Sequence, residues 1–128
     1  VLAEHGTGLP VVLHCFSLPD RLDEVLARGY FLSFAGNVTY KSAVDLQAAA
    51  AAAPADRILL ETDAPYLTPV PLRGRPNRPA LVAHTYGFVA GLRGIAVEEL
   101  AVQVQANAAR AFPRLADAFA VTPPGAGT

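Results

Sequence analysis

The stretch PVVLHCFSLPDRLDEVLARGYFLSFAGN, residues 10–37, decides the fold. It opens with PVVLHCF (10–16), a short apolar run with β-branched residues behind a proline, the pattern of a strand buried on both faces. SLPDRLDEVLARG follows with Leu18, Leu22, Val25 and Leu26 at helical spacing, Asp20 and Asp23 in the first turn and Gly29 as the stop. That spacing predicts a helix over 18–29. YFLSFAGN (30–37) is a second strand of aromatic and aliphatic residues ending in a glycine turn. Connections this short between strand, helix and strand leave only a βαβ unit, with parallel strands and a right-handed crossover.

Downstream the pattern repeats. An alanine-rich helix is predicted from about Tyr40 to Ala53, with Pro54 just beyond it, and RILLETD (57–63) is a third strand stopped by Pro65. The next stretch, APYLTPVPLRGRPNRP (64–79), holds five prolines and reads as a long stiff loop. Helices are predicted at about 80–92 and 97–112, the second with Glu98 and Glu99 where they complement the helix dipole. The fold class is therefore α/β. Residues 1–118 are expected to form one partial barrel domain, and 119–128, ending VTPPGAGT, a disordered tail. Three parallel strands alone leave two unpaired edges. A closed (β/α)₈ barrel takes about 250 residues, whereas this chain has 128, so half a barrel is the simplest reading. The chain contains no methionine, so Val1 is not an unprocessed start; the expectation is a removed N-terminus or a piece of a longer protein.

Composition narrows the class. Apolar residues make up 52% and charged residues 16%, as in a packed globular chain. No apolar run approaches the ~18 residues that span a bilayer, and VLAEHGTGLP lacks the basic start of a secretory signal. The single cysteine, Cys15, excludes an internal disulfide and fits a reducing compartment, so the cytoplasm is the expected location. A net charge of −1 carries no global signal for nucleic acid.

Chemistry concentrates at the predicted strand ends. His14 and Asp63 fall at the C-terminal ends of parallel strands, where α/β folds bind ligands. Alternation would place Val12, His14 and Phe16 on one face and Leu59, Glu61 and Asp63 on another. An imidazole and a carboxylate converging there could ligate a divalent metal and activate water; the alternative is a hydrogen-bonded core histidine and an Asp-Ala-Pro turn. Glu61 either orients such a ligand or pairs with an interior arginine or lysine. Arg73, Arg75 and Arg78 lie on the proline-rich loop with no acid between Asp63 and Glu98, and could clamp phosphates while Tyr66 stacks on a base. A solvated loop is the alternative, favoured for Arg78. His5 and His84 read as surface residues, and Cys15 as a small buried hydrophobe pointing away from His14.

The strings VVLHCFS (11–17), YFLSFAGNVTYKSA (30–43), RILLETDAPYLTPVPLRGRPN (57–77) and NAARAF (107–112) resemble, in order and spacing, the TatD family of metal-dependent deoxyribonucleases. The resemblance spans about 10–113 and implies the last three βα units of a metal-dependent hydrolase TIM barrel. It implies His14 and Asp63 as metal ligands, Asp63 also as proton acceptor, Glu61 behind them, and Tyr66 and Arg73 at the substrate groove. One or two divalent ions (Mg, Mn or Zn) and DNA as substrate follow from it. The family's His-x-His pair, bridging glutamate and further histidine would lie upstream of Val1, so this chain alone is expected to lack a complete site. Leu18 stands where the family usually has glycine, and Arg78 where it often has an acid. The alternatives are a barrel amidohydrolase or lactonase, and a non-catalytic fragment.

Overall fold

The computed structural model describes residues 8–114. Its three strands, β1 (Val12–Leu13), β2 (Phe31–Phe34) and β3 (Ile58–Leu60), form one parallel sheet in the order β1-β2-β3. Val12 pairs with Phe31 and Leu13 with Leu32, while Leu32, Ser33 and Phe34 pair with Ile58, Leu59 and Leu60. Four helices follow the strands: α1 (Leu22–Ala27), α2 (Val44–Ala52), α3 (Val82–Arg93) and α4 (Val97–Ala111). The α/β reading and the parallel order hold. The tail and His5 lie outside the described residues.

The strands are shorter than their apolar runs predict, and the reason is local. Cys15 takes a positive φ of 46° and Asp63 one of 55°, so the extended backbone is interrupted one residue before the first predicted strand would end and at the last residue of the third. Pairing resumes at Phe16, whose N–H donates to the Ser33 carbonyl at 2.8 Å. The helix predicted from Tyr40 begins instead at Val44. Gly36–Thr39 forms a 3₁₀ turn, and the Gln47 amide ties it down by donating to the Val38 and Tyr40 carbonyls.

Leu32, Phe34 and Ile58 are completely buried in the sheet, each contributing about 1.5–3 kcal/mol of hydrophobic stabilisation. Phe16 meets Phe34 edge-on at 5.6 Å between ring centroids. Asn107 on α4 is buried and donates to both the Ala55 and Ile58 carbonyls at 2.8 Å, clamping the entry to β3. Arg93 similarly holds the end of α2 by donating to Ala50 and Ala53. Between the sheet and α4 a cleft of about 440 Å³ is lined by Val12, Ser33, Leu59, Val104 and Phe112, with His14 and Glu61 on its wall. Among the described residues no single helix is long and apolar enough to cross a membrane.

Candidate metal centre

The two backbone kinks that shorten the strands also build the site. Positive φ at Cys15 breaks the expected alternation: Phe16 turns into the core at 2% exposure, while the His14 side chain stands 68% exposed. Val12 and His14 still line one cleft as expected, and it is Phe16 that leaves their face. Neither His14 nor Asp63 lies in a strand; each follows the last paired residues, Leu13 and Leu60. The kink at Asp63 likewise ends the Leu59, Glu61, Asp63 alternation.

Even so, the three side chains converge. His14 Nδ1 lies 2.8 Å from Glu61 Oε1, and His14 Nε2 lies 3.9 Å from Asp63 Oδ1. Glu61 is the best anchored of them. Its N–H donates to the Phe34 carbonyl, and its Oε2 accepts the Cys15 N–H at 3.2 Å. Glu61 thus joins the ends of all three strands and backs one ring nitrogen of His14 while the other faces Asp63. The contact to His14 is close but poorly aligned, and Glu61 Oε1 is buried without a well-directed hydrogen-bond donor. A buried carboxylate oxygen in that state favours a nearby cation.

The donor set fits a divalent ion in part. A gap of 3.9 Å between His14 Nε2 and Asp63 Oδ1 is within reach of two metal bonds of about 2.0–2.2 Å. Among the described residues, however, no three His, Cys, Asp or Glu side chains are arranged to hold a metal ion. The chain supplies part of a coordination shell, and a closed one takes four or more donors.

Cys15 is less buried than expected. It is half-buried, and its thiol pKa is raised by burial first and then by the negative charges of Glu61 and Asp63, against a lowering hydrogen bond with Ser17. The thiol is near enough to Glu61 and Asp63 to feel both charges. A raised pKa keeps Cys15 protonated where a free thiol is already partly ionised. At pH 8, alkylation of Cys15 by iodoacetamide should be slower than that of free cysteine, and Glu61→Gln should speed it by removing one charge. A rate in the parent chain above that of free cysteine contradicts this placement.

The remaining predicted residues sit on the loop after β3. The Tyr66 N–H donates to the Asp63 carbonyl at 2.9 Å, closing a turn, and the Tyr66 ring is 69% exposed. The Arg73 guanidinium lies 3.8 Å from the centre of the Tyr40 ring, a cation–π contact worth about 0.5–1 kcal/mol at an exposed site. Among the described residues neither Tyr66 nor Arg73 makes a side-chain hydrogen bond or ion pair with His14, Glu61 or Asp63. Arg75 and Arg78 border a separate groove of about 320 Å³ with Leu72, Pro76 and Leu81, and His84 is exposed as expected. Three participants escaped the sequence reading. Tyr40 holds Arg73; Thr39 accepts the Val70 N–H at 2.8 Å; buried Asn77 donates to the Thr62 and Tyr66 carbonyls at 2.8 Å. The signals available were an aromatic two residues after Val38, and an asparagine set between Pro76 and Arg78-Pro79.

The family profile described as TatD related DNase matches residues 1–113. The chain belongs to the TatD family. Among relatives of this TatD chain, the Escherichia coli K12 protein named uncharacterized metal-dependent hydrolase YcfH is 48% identical over 85% of the chain and 42% of its own length. The Mycobacterium tuberculosis protein named uncharacterized metal-dependent hydrolase TatD is 39% identical, over 88% and 43%. An Erwinia billingiae protein named 3'-5' ssDNA/RNA exonuclease TatD is 42% identical, over 79% and 41%. The chain thus spans less than half the length of these relatives. The crystal structure of YJJV, a TatD homologue from Escherichia coli K12, superimposes with a TM-score of 0.80 at 29% identity, covering 88% of this chain and 44% of that one. A TatD-family hydrolase from Entamoeba histolytica superimposes with a TM-score of 0.75 at 19% identity and shares the fold. Both solved structures are TIM barrels.

Proposed function

We propose that this chain forms the last three βα units of a TatD-type barrel and contributes His14 and Asp63 to a divalent-metal site that hydrolyses DNA phosphodiester bonds. The observation that carries the reading is the convergence of His14 Nε2 and Asp63 Oδ1 to 3.9 Å from the ends of two strands, with Glu61 behind the ring. The Erwinia relative's name supports a nucleic-acid substrate, and the relatives' names support metal dependence.

A bound divalent ion, whether Mg, Mn or Zn and whether one or two, supplies Lewis-acid activation at this spot. This chain's own residues do the rest. Glu61 orients His14 through Nδ1 and leaves Nε2 as a donor atom. Asp63 accepts a proton from the water that attacks phosphorus as the P–O bond to the leaving oxygen breaks. Arg73, held over Tyr40, offers its guanidinium to a phosphate. Exposed Tyr66 offers a stacking face to an unpaired base.

The incomplete donor set favours a second statement: alone, this chain is not an efficient nuclease. The test is a chimera joining the N-terminal portion of the Escherichia coli YcfH relative to this chain. It is assayed with Mg²⁺, Mn²⁺ or Zn²⁺, and with EDTA, on labelled single- and double-stranded DNA beside a cyclic amide and a lactone. DNA hydrolysis by the chimera, far above that of the chain alone and abolished by EDTA, is the expected result. Turnover of the amide or lactone with DNA untouched would replace the proposal with an amidohydrolase or lactonase.

A further inference from the structure

Two buried asparagines bracket β3, and they use the same chemistry for different ends. Asn107 donates from Nδ2 to Ala55 and Ile58 at the strand's entry. Asn77 donates from Nδ2 to Thr62 and Tyr66 past the strand's exit, each at 2.8 Å. We infer that Asn77 is a positioning residue for the metal centre, holding the Asp63 carboxylate opposite His14. The inference rests on the metal reading above.

The Asp63 backbone sits in the left-handed region, φ 55°, which aspartate tolerates and its surroundings must hold. Asn77 holds the peptide before Asp63 and the far end of the turn after it, while the Ala64 N–H donates to Thr62 Oγ1 at 3.3 Å. Asn77 grips the Thr62 carbonyl immediately before Asp63 and the Tyr66 carbonyl three residues after it. The Asn77 N–H donates to the Pro65 carbonyl at 3.0 Å, and the Tyr66 N–H donates back to the Asp63 carbonyl at 2.9 Å. Asn77 Oδ1 is engaged as well, accepting the Arg78 N–H at 2.9 Å. At 5% exposure the amide is shielded from water that could replace these bonds. Asp63 has no comparable support from its own side chain, whose only ion-pair partner among the described residues is His14 at 3.9 Å. Its direction is therefore set through the backbone, and Asn77 sets the backbone.

The experiment compares Asn77→Ala and Asn107→Ala in the YcfH chimera, the parent here because it completes the donor set, with Asn77→Ser as a milder variant that keeps one donor. Mn²⁺ binding is followed by paramagnetic broadening of NMR signals, and amide hydrogen exchange is read at Tyr66. Asn77→Ala should weaken Mn²⁺ about 10-fold or more, the usual effect of losing a residue that orients a ligand, and speed exchange at Tyr66. Asn77→Ser should fall between it and the parent, and Asn107→Ala should lower Tm while leaving Mn²⁺ affinity within about 2-fold. Unchanged Tyr66 exchange in Asn77→Ala overturns the inference, as does equal loss of affinity in the two alanine variants. If Asn77→Ala does not fold, Asn77→Ser with parent-like affinity overturns it. A parent chain whose Mn²⁺ binding ignores Asp63→Asn sinks the metal reading and the inference together. Affinity that depends on Asp63 but not on Asn77 sinks the inference alone.

Discussion

Asp63→Asn in the chimera should lower DNA hydrolysis by at least about 10²–10⁴-fold, the range associated with losing a positioned proton acceptor, and more where the lost charge also releases the metal. The substitution suits the question because it disturbs little else. Asparagine has the shape of aspartate and tolerates the left-handed conformation at φ 55°. Among the described residues the Asp63 side chain makes no hydrogen bond, and its nearest ionisable partner is His14 at 3.9 Å. Stability should therefore stay within about 0.5 kcal/mol of the parent, and the amide oxygen remains a weak neutral donor to a cation. A chimera that cleaves DNA equally well with asparagine at 63 refutes the assignment. A chimera that keeps activity but needs far more Mn²⁺ would show Asp63 to be a ligand and not a proton acceptor.

Much of this architecture is legible in the chain because its cues are local. Val11 to Leu13, Phe31 to Phe34 and Ile58 to Leu60 are apolar, β-branched or aromatic runs, and each is flanked by a proline or glycine stop. Gly94 ends α3 in a left-handed cap, and Glu98 and Glu99 open α4, as their positions predict. What the residues conceal is where extended backbone gives way. Nothing in the side chain of Cys15 announces a positive φ, and the Asp-Ala-Pro string is only a weak turn signal at Asp63, so alternation runs too far and places Phe16 beside His14. Residue types leave Glu61 open between an interior cation and a ligand; its nearest partner is His14, just past the end of β1 and far away in sequence, which spacing alone cannot reveal. Asn77 looks like one more turn residue among prolines. Its burial depends on the loop folding back over the Asp63 turn, a long-range event with no sequence signature.

Among the described glycines, Gly36 is the one whose replacement by alanine should be strongly damaging. A Cβ built there would lie 2.1 Å from the Leu67 carbonyl oxygen, 2.9 Å from Pro69 N and 3.0 Å from Pro69 Cδ. Those atoms are backbone and a proline ring, so no rotamer change relieves the overlap; the whole 64–79 loop must lift. That loop is fastened close by. The Thr39 hydroxyl donates to the Gly36 carbonyl at 2.7 Å and accepts the Val70 N–H at 2.8 Å, and Thr68 and Pro69 are buried against the same turn. Lifting the loop breaks at least one of these bonds, worth about 1 kcal/mol each, besides the overpacking itself at about 1–3 kcal/mol. A total near 3 kcal/mol lowers Tm by roughly 10–20 °C in a domain of this size. Because Asp63 and Tyr66 open the same loop, Mn²⁺ affinity should fall as well. Gly36→Ser should behave like alanine, since the overlap is set by Cβ. Thermal unfolding checks the first effect and Mn²⁺ titration the second. A Gly36→Ala chain with parent-like Tm would mean that the 36–40 turn and the proline-rich loop are not in contact, and would remove the support on which Arg73 and Asp63 both depend.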